Sequence, residues 1–246
     1  MSNRLREKLI EQYAQHYTRI NTSILPSSLR ETTAQSLQLM YGEFIAALPS
    51  GSRVADVGCG SGILLNWLAR QQGIVPVGVD SSPTQIEIVR QGLHGVDVRC
   101  MDGLSFLQSH SETFGGIFCM DVLEHLPYED DCLAWIEAAR QALTPNGFFV
   151  CRVPNAANLT ASYSRYIDLT HQRSFTTTSL LQLLEAGGLQ DCRAIPVQAQ
   201  HVTGRLRLKV EHLLHRLLFL ICGRGLENIF TSNVCMAGFK KGSGIL

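Results

Sequence analysis

The centre of the chain alternates short apolar segments with amphipathic ones, and this alternation restricts the fold more than any other feature. Strands are predicted at 53–57, 75–79, 96–100, 115–120 and 147–153. Helices are predicted between them at 62–72, 83–92, 103–109 and 129–142. Strands that alternate with helices form βαβ units, in which parallel strands are covered by helices. The sequence therefore predicts an α/β fold built on a mostly parallel sheet.

Further elements are predicted on both sides of this region. Helices are predicted at 3–20, 27–48 and 176–187, strands at 189–198 and 230–240, and a basic amphipathic helix at 205–222. The segment 154–174 has no regular pattern. We therefore divide the chain into an N-terminal helical cap, 1–48, and one domain, 49–246. That domain includes the irregular segment and an amphipathic insertion at 205–222.

The composition argues against several classes of protein. Lys+Arg and Asp+Glu both number 21, so the net charge is zero, whereas chains that coat nucleic acid are usually basic. The eight cysteines form no C-x-x-C and no cluster with metal-ligand spacing. Most lie in apolar runs, where a reduced cysteine behaves as a small hydrophobe, which is typical of a protein from a reducing compartment. The N-terminus lacks the apolar core of a secretion signal, and the apolar run at 213–222 is too short to span a bilayer. We expect a cytoplasmic protein that binds neither nucleic acid nor metal.

A glycine-rich loop, V-A-D-V-G-C-G-S-G at 54–62, joins the first predicted strand to the first predicted helix of this region. Glycines let a ligand approach the backbone, and a helix N-terminus favours anionic or polar groups. The spacing G-x-G-x-G lacks the late glycine of the dinucleotide fingerprint. Asp56 would repel a pyrophosphate and attract an ammonium group. The loop thus disfavours an NAD(P) oxidoreductase.

Two more carboxylates follow predicted strands. Asp80 ends the second strand and can accept hydrogen bonds from ribose hydroxyls. Asp102 ends the third strand and can accept one from an adenine amino group. Each could instead cap the helix that follows it. Three carboxylates around one pocket suit a ligand with ammonium, sulfonium, ribose and adenine groups, which predicts S-adenosylmethionine as the cofactor.

Four motifs carry a family resemblance: V-A-D-V-G-C-G-S-G, V-G-V-D-S-S, C-M-D-G and F-G-G-I-F-C-M-D-V-L-E-H-L-P. In order and spacing, over about residues 50–153, they resemble class I SAM-dependent methyltransferases. The resemblance implies a Rossmann-like, doubly wound, seven-stranded sheet whose last strand is antiparallel. It also implies that the cofactor contacts Asp56, Gly58, Cys59, Gly60, Gly62, Asp80, Ser81, Asp102, Gly103, Met120 and Asp121.

Two histidines are the candidate catalytic bases. His125 follows the fourth strand and His171 follows the fifth, and ligands of open α/β sheets bind at the carboxyl ends of strands. A hydroxyl acceptor must lose its proton, and a histidine tuned near neutral pH is the usual base. Asp168 could orient His171. The structural alternatives are a hydrogen bond from His125 to the turn before Pro127 and a His171–Asp168 pair that only orders the loop.

The irregular segment also supplies the candidate acceptor contacts, which are Tyr163, Arg165, Tyr166 and Arg173. Its arginines could bind a phosphate or carboxylate, or stay solvated. Residues 151–189 resemble methyltransferases of bacterial surface-polysaccharide and lipid-linked glycan pathways, whereas E-H-L-P resembles ubiquinone-pathway O-methyltransferases. We expect O-methylation of a sugar or lipid-linked glycan. The alternatives are a quinone or other small phenol as acceptor, and a degenerate methyltransferase fold that acts as a partner subunit.

The predicted helix 205–222 combines an apolar face with basic residues. Its leucines repeat at helical spacing, while Arg205, Lys209, His212 and Arg216 lie on the other side. Residues 205–241 contain seven Lys/Arg and two acids. Such a helix is typical of contact with an anionic membrane, here the inner face. The alternative is packing on this protein or on a second subunit, which would make a homodimer.

Overall fold

A seven-stranded sheet forms the centre of a computed structural model that describes residues 8–9, 31–197, 202–224 and 229–242. The strands are β1 (Ser52–Val57), β2 (Ile74–Asp80), β3 (Asp97–Cys100), β4 (Phe114–Met120), β5 (Leu143–Pro154), β6 (Gln190–Ala194) and β7 (Asn233–Phe239). The α-helices are α1 (Glu31–Ala46), α2 (Ile63–Ala69), α3 (Pro83–Gly92), α4 (Gly103–Gln108), α5 (Glu129–Ala142), α6 (Ala161–Tyr166), α7 (Thr177–Ala186) and α8 (Val202–Ile221). A short 3-10 helix spans Leu123–His125.

The strand order is β3-β2-β1-β4-β5-β7-β6. Strands β1 to β5 pair in parallel, and β7 runs antiparallel to both β5 and β6. This arrangement confirms the predicted doubly wound, mostly parallel sheet with its last strand reversed. The order changes direction between β1 and β4, so a crevice opens at their carboxyl ends, where such sheets bind ligands.

Apolar layers cover both faces of the sheet. On one face, α4, α5 and α7 bury Phe106, Trp135 and Leu180 against the strands. On the other face, Tyr41 of α1 and Trp67 of α2 pack against strand residues, with the Tyr41 and Phe118 ring centroids 5.3 Å apart. The amphipathic segments that flank apolar strands therefore do form the helices that bury the sheet.

Several predicted boundaries differ from the structure. Strand β6 ends at Ala194, short of the predicted residue 198, because Pro196 has no N–H to donate to a ladder. The segment 154–174 was predicted to be irregular but contains α6, which has no buried residues and hence no apolar periodicity to reveal it. Of the predicted helix 3–20, only Lys8 and Leu9 lie within the described residues, and both are helical.

Helix α8 occupies the place of the predicted helix 205–222, in the connection between β6 and β7. Among the residues that the structure describes, no helix has the length and apolar character needed to cross a bilayer. The division of the chain at residues 48 and 49 stays a prediction; Tyr41 and Phe44 of α1 belong to the core on one face of the sheet.

Candidate active site

The glycine-rich loop leaves β1 beside the turn that leaves β4, since these strands are parallel neighbours. The amides of Gly58 and Cys59 both donate to the Val79 carbonyl, at 2.8 and 2.9 Å, which ties the loop to the end of β2. Gly58 and Gly60 have φ of +84° and +51°, in the left-handed region that favours glycine. A Cβ on Gly60 would meet no atom of the described residues within 4 Å, so bare backbone faces open space where a ligand can approach.

Asp56 is a buried carboxyl group at the base of this loop, with 1% of its surface exposed. Burial, and next the charge of Asp80, raise the pKa of Asp56 to about 7, while Arg152 and a backbone hydrogen bond from Leu65 act against them. Its Oδ2 atom has no hydrogen-bond partner within the described part of the chain. An unpartnered carboxylate oxygen fits the ammonium group of S-adenosylmethionine.

Asp80 fixes the shape of the glycine loop. Its Oδ2 accepts a hydrogen bond from the Gly60 amide at 2.8 Å, and its Oδ1 accepts one from the Ser82 amide at 2.8 Å. Burial raises the pKa of Asp80, although these backbone donors oppose the shift. Its carboxylate oxygens can accept further hydrogen bonds, so this geometry fits ribose hydroxyls as well.

The other predicted cofactor residues differ in their exposure to solvent and in the contacts they make. Asp102 is exposed and caps α4, because its Oδ2 accepts from the amide and the hydroxyl of Ser105, both at 2.8 Å. A Cβ on Gly103 would lie 2.3 Å from the Trp135 ring, so this glycine packs closely. Ser81 is exposed, and Cys59 is buried. Their contacts with the cofactor stay predictions, as does the contact of Met120.

Asp121 forms an ion pair that the sequence did not reveal. Arg152 of β5 donates through Nε to Asp121 Oδ1 at 3.0 Å and through a terminal nitrogen to Oδ2. The Asp121 carboxylate raises the pKa of this guanidinium. Asp121 itself has φ of +56°, and its amide donates to the Arg152 carbonyl at 2.9 Å. The only sequence signal for Arg152 is a charge within an otherwise apolar strand.

His125 is held by a chain of hydrogen bonds. The Thr170 hydroxyl donates to Asp168 Oδ1 at 2.6 Å, and His125 Nδ1 lies 2.7 Å from the same hydroxyl oxygen. Because Thr170 gives its proton to Asp168, His125 Nδ1 must carry a proton and donate. The basic nitrogen of His125 is therefore Nε2. The sequence does not indicate Thr170, because it lies 45 positions from His125 along the chain and only the fold brings the two side chains together.

Asp168 is a buried acid that supports this chain. Burial raises its pKa, but hydrogen bonds from Thr170 and the nearby His125 and His171 hold the net pKa below the usual value. Its Oδ1 accepts hydrogen bonds from both the amide and the hydroxyl of Thr170. Asp168 thus orients His125 through Thr170, whereas its expected role in orienting His171 stays a prediction.

His171 lies beside His125, with ring centroids 4.7 Å apart. It is buried, and its Nδ1 donates to the Ser164 carbonyl at 2.9 Å, since a carbonyl can only accept. Its basic nitrogen is therefore also Nε2. The structure brings the two predicted bases together, although which of them acts stays a prediction.

Glu124 is an additional site residue, which the sequence did not single out. It is 1% exposed, and neither of its carboxylate oxygens has a hydrogen-bond partner among the described residues. Burial, and next the charge of Asp121, raise its pKa well above the usual range. Ligand atoms of Glu124, His125 and His171 lie within 4.8 Å of one another and could hold a divalent ion. The expectation that no metal binds stays a prediction.

The predicted acceptor contacts divide into two groups. Tyr163 and Tyr166 are exposed on α6. Arg165 donates to the Gln172 carbonyl at 2.8 Å, and Arg173 donates to the Pro127 carbonyl at 2.9 Å and pairs with Glu129 at 3.2 Å. Both arginines therefore hold the segment together, and Arg173 is not the solvated side chain of the alternative interpretation.

Comparisons with known proteins agree on the fold. Residues 29–193 match a protein family described as "Methyltransferase domain". A SAM-dependent methyltransferase from Archaeoglobus fulgidus superposes with a TM-score of 0.66 at 18% identity, covering 93% of this chain and 99% of that one. Phosphoethanolamine N-methyltransferase 2 of Haemonchus contortus, solved with S-adenosylmethionine, gives 0.55 at 14%, covering 93% and 60%.

Curated relatives match a shorter part of the chain. The ubiquinone biosynthesis O-methyltransferase of Xylella fastidiosa strain 9a5c is 39% identical over 104 residues, which is 40% of this chain and 40% of that protein. The protein of the same name from Pasteurella multocida is 37% identical over 112 residues, covering 40% and 44%. The chain thus spans less than half the length of these relatives.

Proposed function

We propose a reaction for this chain on the premise that the chain belongs to the methyltransferase-domain family, as a class I SAM-dependent methyltransferase. The acceptor that we infer is the hydroxyl group of a quinone precursor or another small phenol. The observation that carries this inference is the hydrogen-bonded chain from Asp168 through Thr170 to His125, three residues after Val122, which lies against Gly58 of the glycine loop. Its geometry supplies a base for an oxygen acceptor.

Each residue of this site has a role in the proposed reaction. Bound S-adenosylmethionine supplies an electrophilic methyl group. Asp56 and Asp80 hold its ammonium and ribose groups, and the open backbone at Gly60 admits it. His125 Nε2 takes the proton of the acceptor hydroxyl as the oxygen attacks the methyl carbon, and S-adenosylhomocysteine is the leaving group. The ionised Asp168, acting through Thr170, stabilises the imidazolium that forms.

Acidity favours a phenol over a sugar as the acceptor. A phenolic hydroxyl has a pKa near 10, so a neutral imidazole removes its proton far more readily than that of an aliphatic hydroxyl. The relatives' names, ubiquinone biosynthesis O-methyltransferase, support the same choice. Residues 151–189 led us to expect a surface-polysaccharide or lipid-linked glycan acceptor. Sugars are therefore tested as the second class of acceptor.

The test is a methyl-transfer assay with labelled S-adenosylmethionine against a catechol, a hydroquinone and sugar acceptors. We expect label in the catechol, and a turnover number reduced by roughly 10²- to 10⁴-fold in His125→Ala. A preference for sugars would overturn the acceptor. Full turnover in both His125→Ala and His171→Ala would overturn the base. If the chain neither bound S-adenosylmethionine nor transferred its methyl group, the result would favour the degenerate fold that acts as a partner subunit.

Thr170 provides a matched pair of variants for the same proposal. Thr170→Ser keeps the hydroxyl and should keep the activity and its pH profile. Thr170→Val removes the link to Asp168, so the base should titrate at a lower pH because the imidazolium loses support. Equal pH profiles in the two variants would contradict a positioning role for Thr170.

The cluster formed by Glu124, His125 and His171 could supply an imidazole base or hold a divalent ion, and chelation distinguishes the two. Transfer that relies on an imidazole base survives dialysis against a chelator. Transfer that needs a divalent ion stops and returns when an imidazole-binding ion such as Zn²⁺ is added.

We place the reaction in the cytoplasm. All eight cysteines are free, which is typical of a reducing compartment. A homodimer stays a prediction.

A further inference from the structure

Helix α8 turns its polar and aromatic side toward the rest of the protein. Phe230 packs against three side chains of this helix, His212, His215 and Phe219, with ring centroids 5.5, 5.0 and 5.0 Å away. Glu211 accepts a hydrogen bond from the Asn158 side chain at 3.0 Å. These contacts fix the rotation of α8 about its own axis.

The opposite side of α8 is apolar and exposed. Eight side chains there are 38% to 74% exposed: Leu206, Val210, Leu213, Leu214, Leu217, Leu218, Leu220 and Ile221. Several follow one another at steps of three and four residues, which places them in one continuous stripe. The described part of the chain therefore leaves this stripe uncovered, and its packing on the protein itself stays an untested alternative. A continuous exposed apolar face of this kind marks an interaction surface.

Cations line the edges of this stripe. Lys209 and Arg216 lie along one edge, and Arg207 lies along the other, as their spacing on the helix requires. All three are exposed. The only acid of α8, Glu211, faces inward to Asn158, so the outward charges of the helix are all positive. This charge distribution complements an anionic surface.

We propose that α8 is a docking surface for an anionic lipid bilayer, with the leucine-rich stripe at the level of the acyl chains and the basic edges at the headgroups. A second copy of the chain is the less favourable occupant. Two copies related by a two-fold axis would place the same cationic edges against each other.

Docking through α8 would also orient the candidate active site. The Leu159 amide donates to His215 Nε2 at 2.8 Å, and the Asn158 side chain donates to the Phe230 carbonyl as well as to Glu211. Asn158 and Leu159 begin the segment that continues to His171. A bilayer at α8 would thus contact the element that holds the start of this segment, which suits a lipid-borne phenol; this step rests on the proposed function.

The experiment is flotation of the full chain with vesicles of phosphatidylcholine and phosphatidylglycerol, compared with vesicles of phosphatidylcholine alone. We expect binding to the anionic vesicles, and about tenfold weaker binding for the double variant Leu213→Gln with Leu217→Gln. Leu39→Gln changes a leucine of α1 that is 52% exposed, and it should bind like the parent. Arg207→Gln with Arg216→Gln should lose the preference for anionic vesicles.

Three results would overturn the proposal. The parent chain could fail to bind either vesicle, or the double leucine variant could bind as tightly as the parent. Alternatively, sedimentation could show a dimer that the leucine variant dissociates while vesicles bind nothing, which would assign the stripe to a second copy. Vesicle binding needs neither cofactor nor acceptor. Its failure and the failure of methyl transfer are therefore distinguishable.

Discussion

Gly58 and Gly60 have opposite surroundings, although both take a left-handed backbone. A Cβ on Gly58 would lie 2.3 Å from a methyl group of Val122, whereas Gly60 faces open space. At the scale of single residues, the loop therefore combines one glycine that is needed for packing with one that leaves room for a ligand.

Replacing Gly58 tests whether this glycine is needed for packing against Val122. Gly51 also has φ of +84°, but a Cβ added there would meet no atom of the described residues within 4 Å, so Gly51→Ala reports backbone strain alone. We expect Gly51→Ala to lower the free energy of unfolding by about 1 to 2 kcal/mol. Gly58→Ala should cost roughly 1 to 3 kcal/mol more, because the branched Val122 cannot easily move aside. Urea unfolding measures both, and equal losses would show that the contact relaxes.

Asp56 predicts a pH dependence of stability. Its folded-state pKa of about 7 exceeds the unfolded value of roughly 4, so the folded chain binds an extra proton between those values. Its contribution to stability is present below about pH 4 and is lost as the pH rises to about 7. We expect Asp56→Asn to show less loss of unfolding free energy from pH 5 to pH 8 than the parent.

The control is Glu43→Gln, which changes an exposed carboxylate of α1. It should follow the parent curve, and a parent without any decline over this range would contradict the raised pKa of Asp56.

Helix α7 shows how local sequence fixes an element next to the acceptor segment. Thr176 accepts a hydrogen bond from the Ser179 amide, and Ser179 accepts one from the Thr176 amide, which makes a capping box. The buried Leu180 and Leu184 then dock the helix on the sheet.

The cap predicts that replacing threonine by alanine lowers stability more at Thr176 than at Thr178. Thr176→Ala should lower the free energy of unfolding by about 1 kcal/mol, because the first turn loses its side-chain acceptor. Thr178→Ala, at an exposed position inside the same helix, should be neutral or slightly stabilising. Thermal unfolding followed by circular dichroism compares them, and equal stabilities would show that the cap contributes nothing.

The elements also show which parts of the fold can be predicted from sequence. Helix α5 begins and ends where its amphipathic pattern predicts, at Glu129 and Ala142, because burial against one sheet face sets that pattern. Helix α6 could not be predicted, since it buries no side chain.

The same distinction applies to the candidate site. The roles of the glycine loop and Asp80 can be predicted from the sequence because their partners lie in neighbouring motifs. The roles of Thr170 and Arg152 cannot, since Thr170 acts on His125, 45 positions away, and Arg152 on Asp121, 31 positions away. A buried Glu124 was equally hidden, because burial depends on packing that no local pattern encodes.

Across the whole molecule, cofactor binding should add to global stability, because the glycine loop follows β1 and is hydrogen-bonded to Val79 of β2. A ligand at 100 times its dissociation constant adds about 2.7 kcal/mol to stability. For a chain of this size, S-adenosylhomocysteine should therefore raise the melting temperature by about 5 to 11 °C. Differential scanning fluorimetry measures this shift. NADH serves as the control and should give none, whereas a shift with NADH alone would revive the oxidoreductase interpretation.

Helix α8 enters the chain between β6 and β7, two strands that pair directly with each other. A connection between paired neighbours can grow or shrink over evolutionary time without changing the order or register of any strand. The strand order and register of the sheet therefore do not depend on α8, which acts on the rest of the protein through its contacts with Asn158, Leu159 and Phe230.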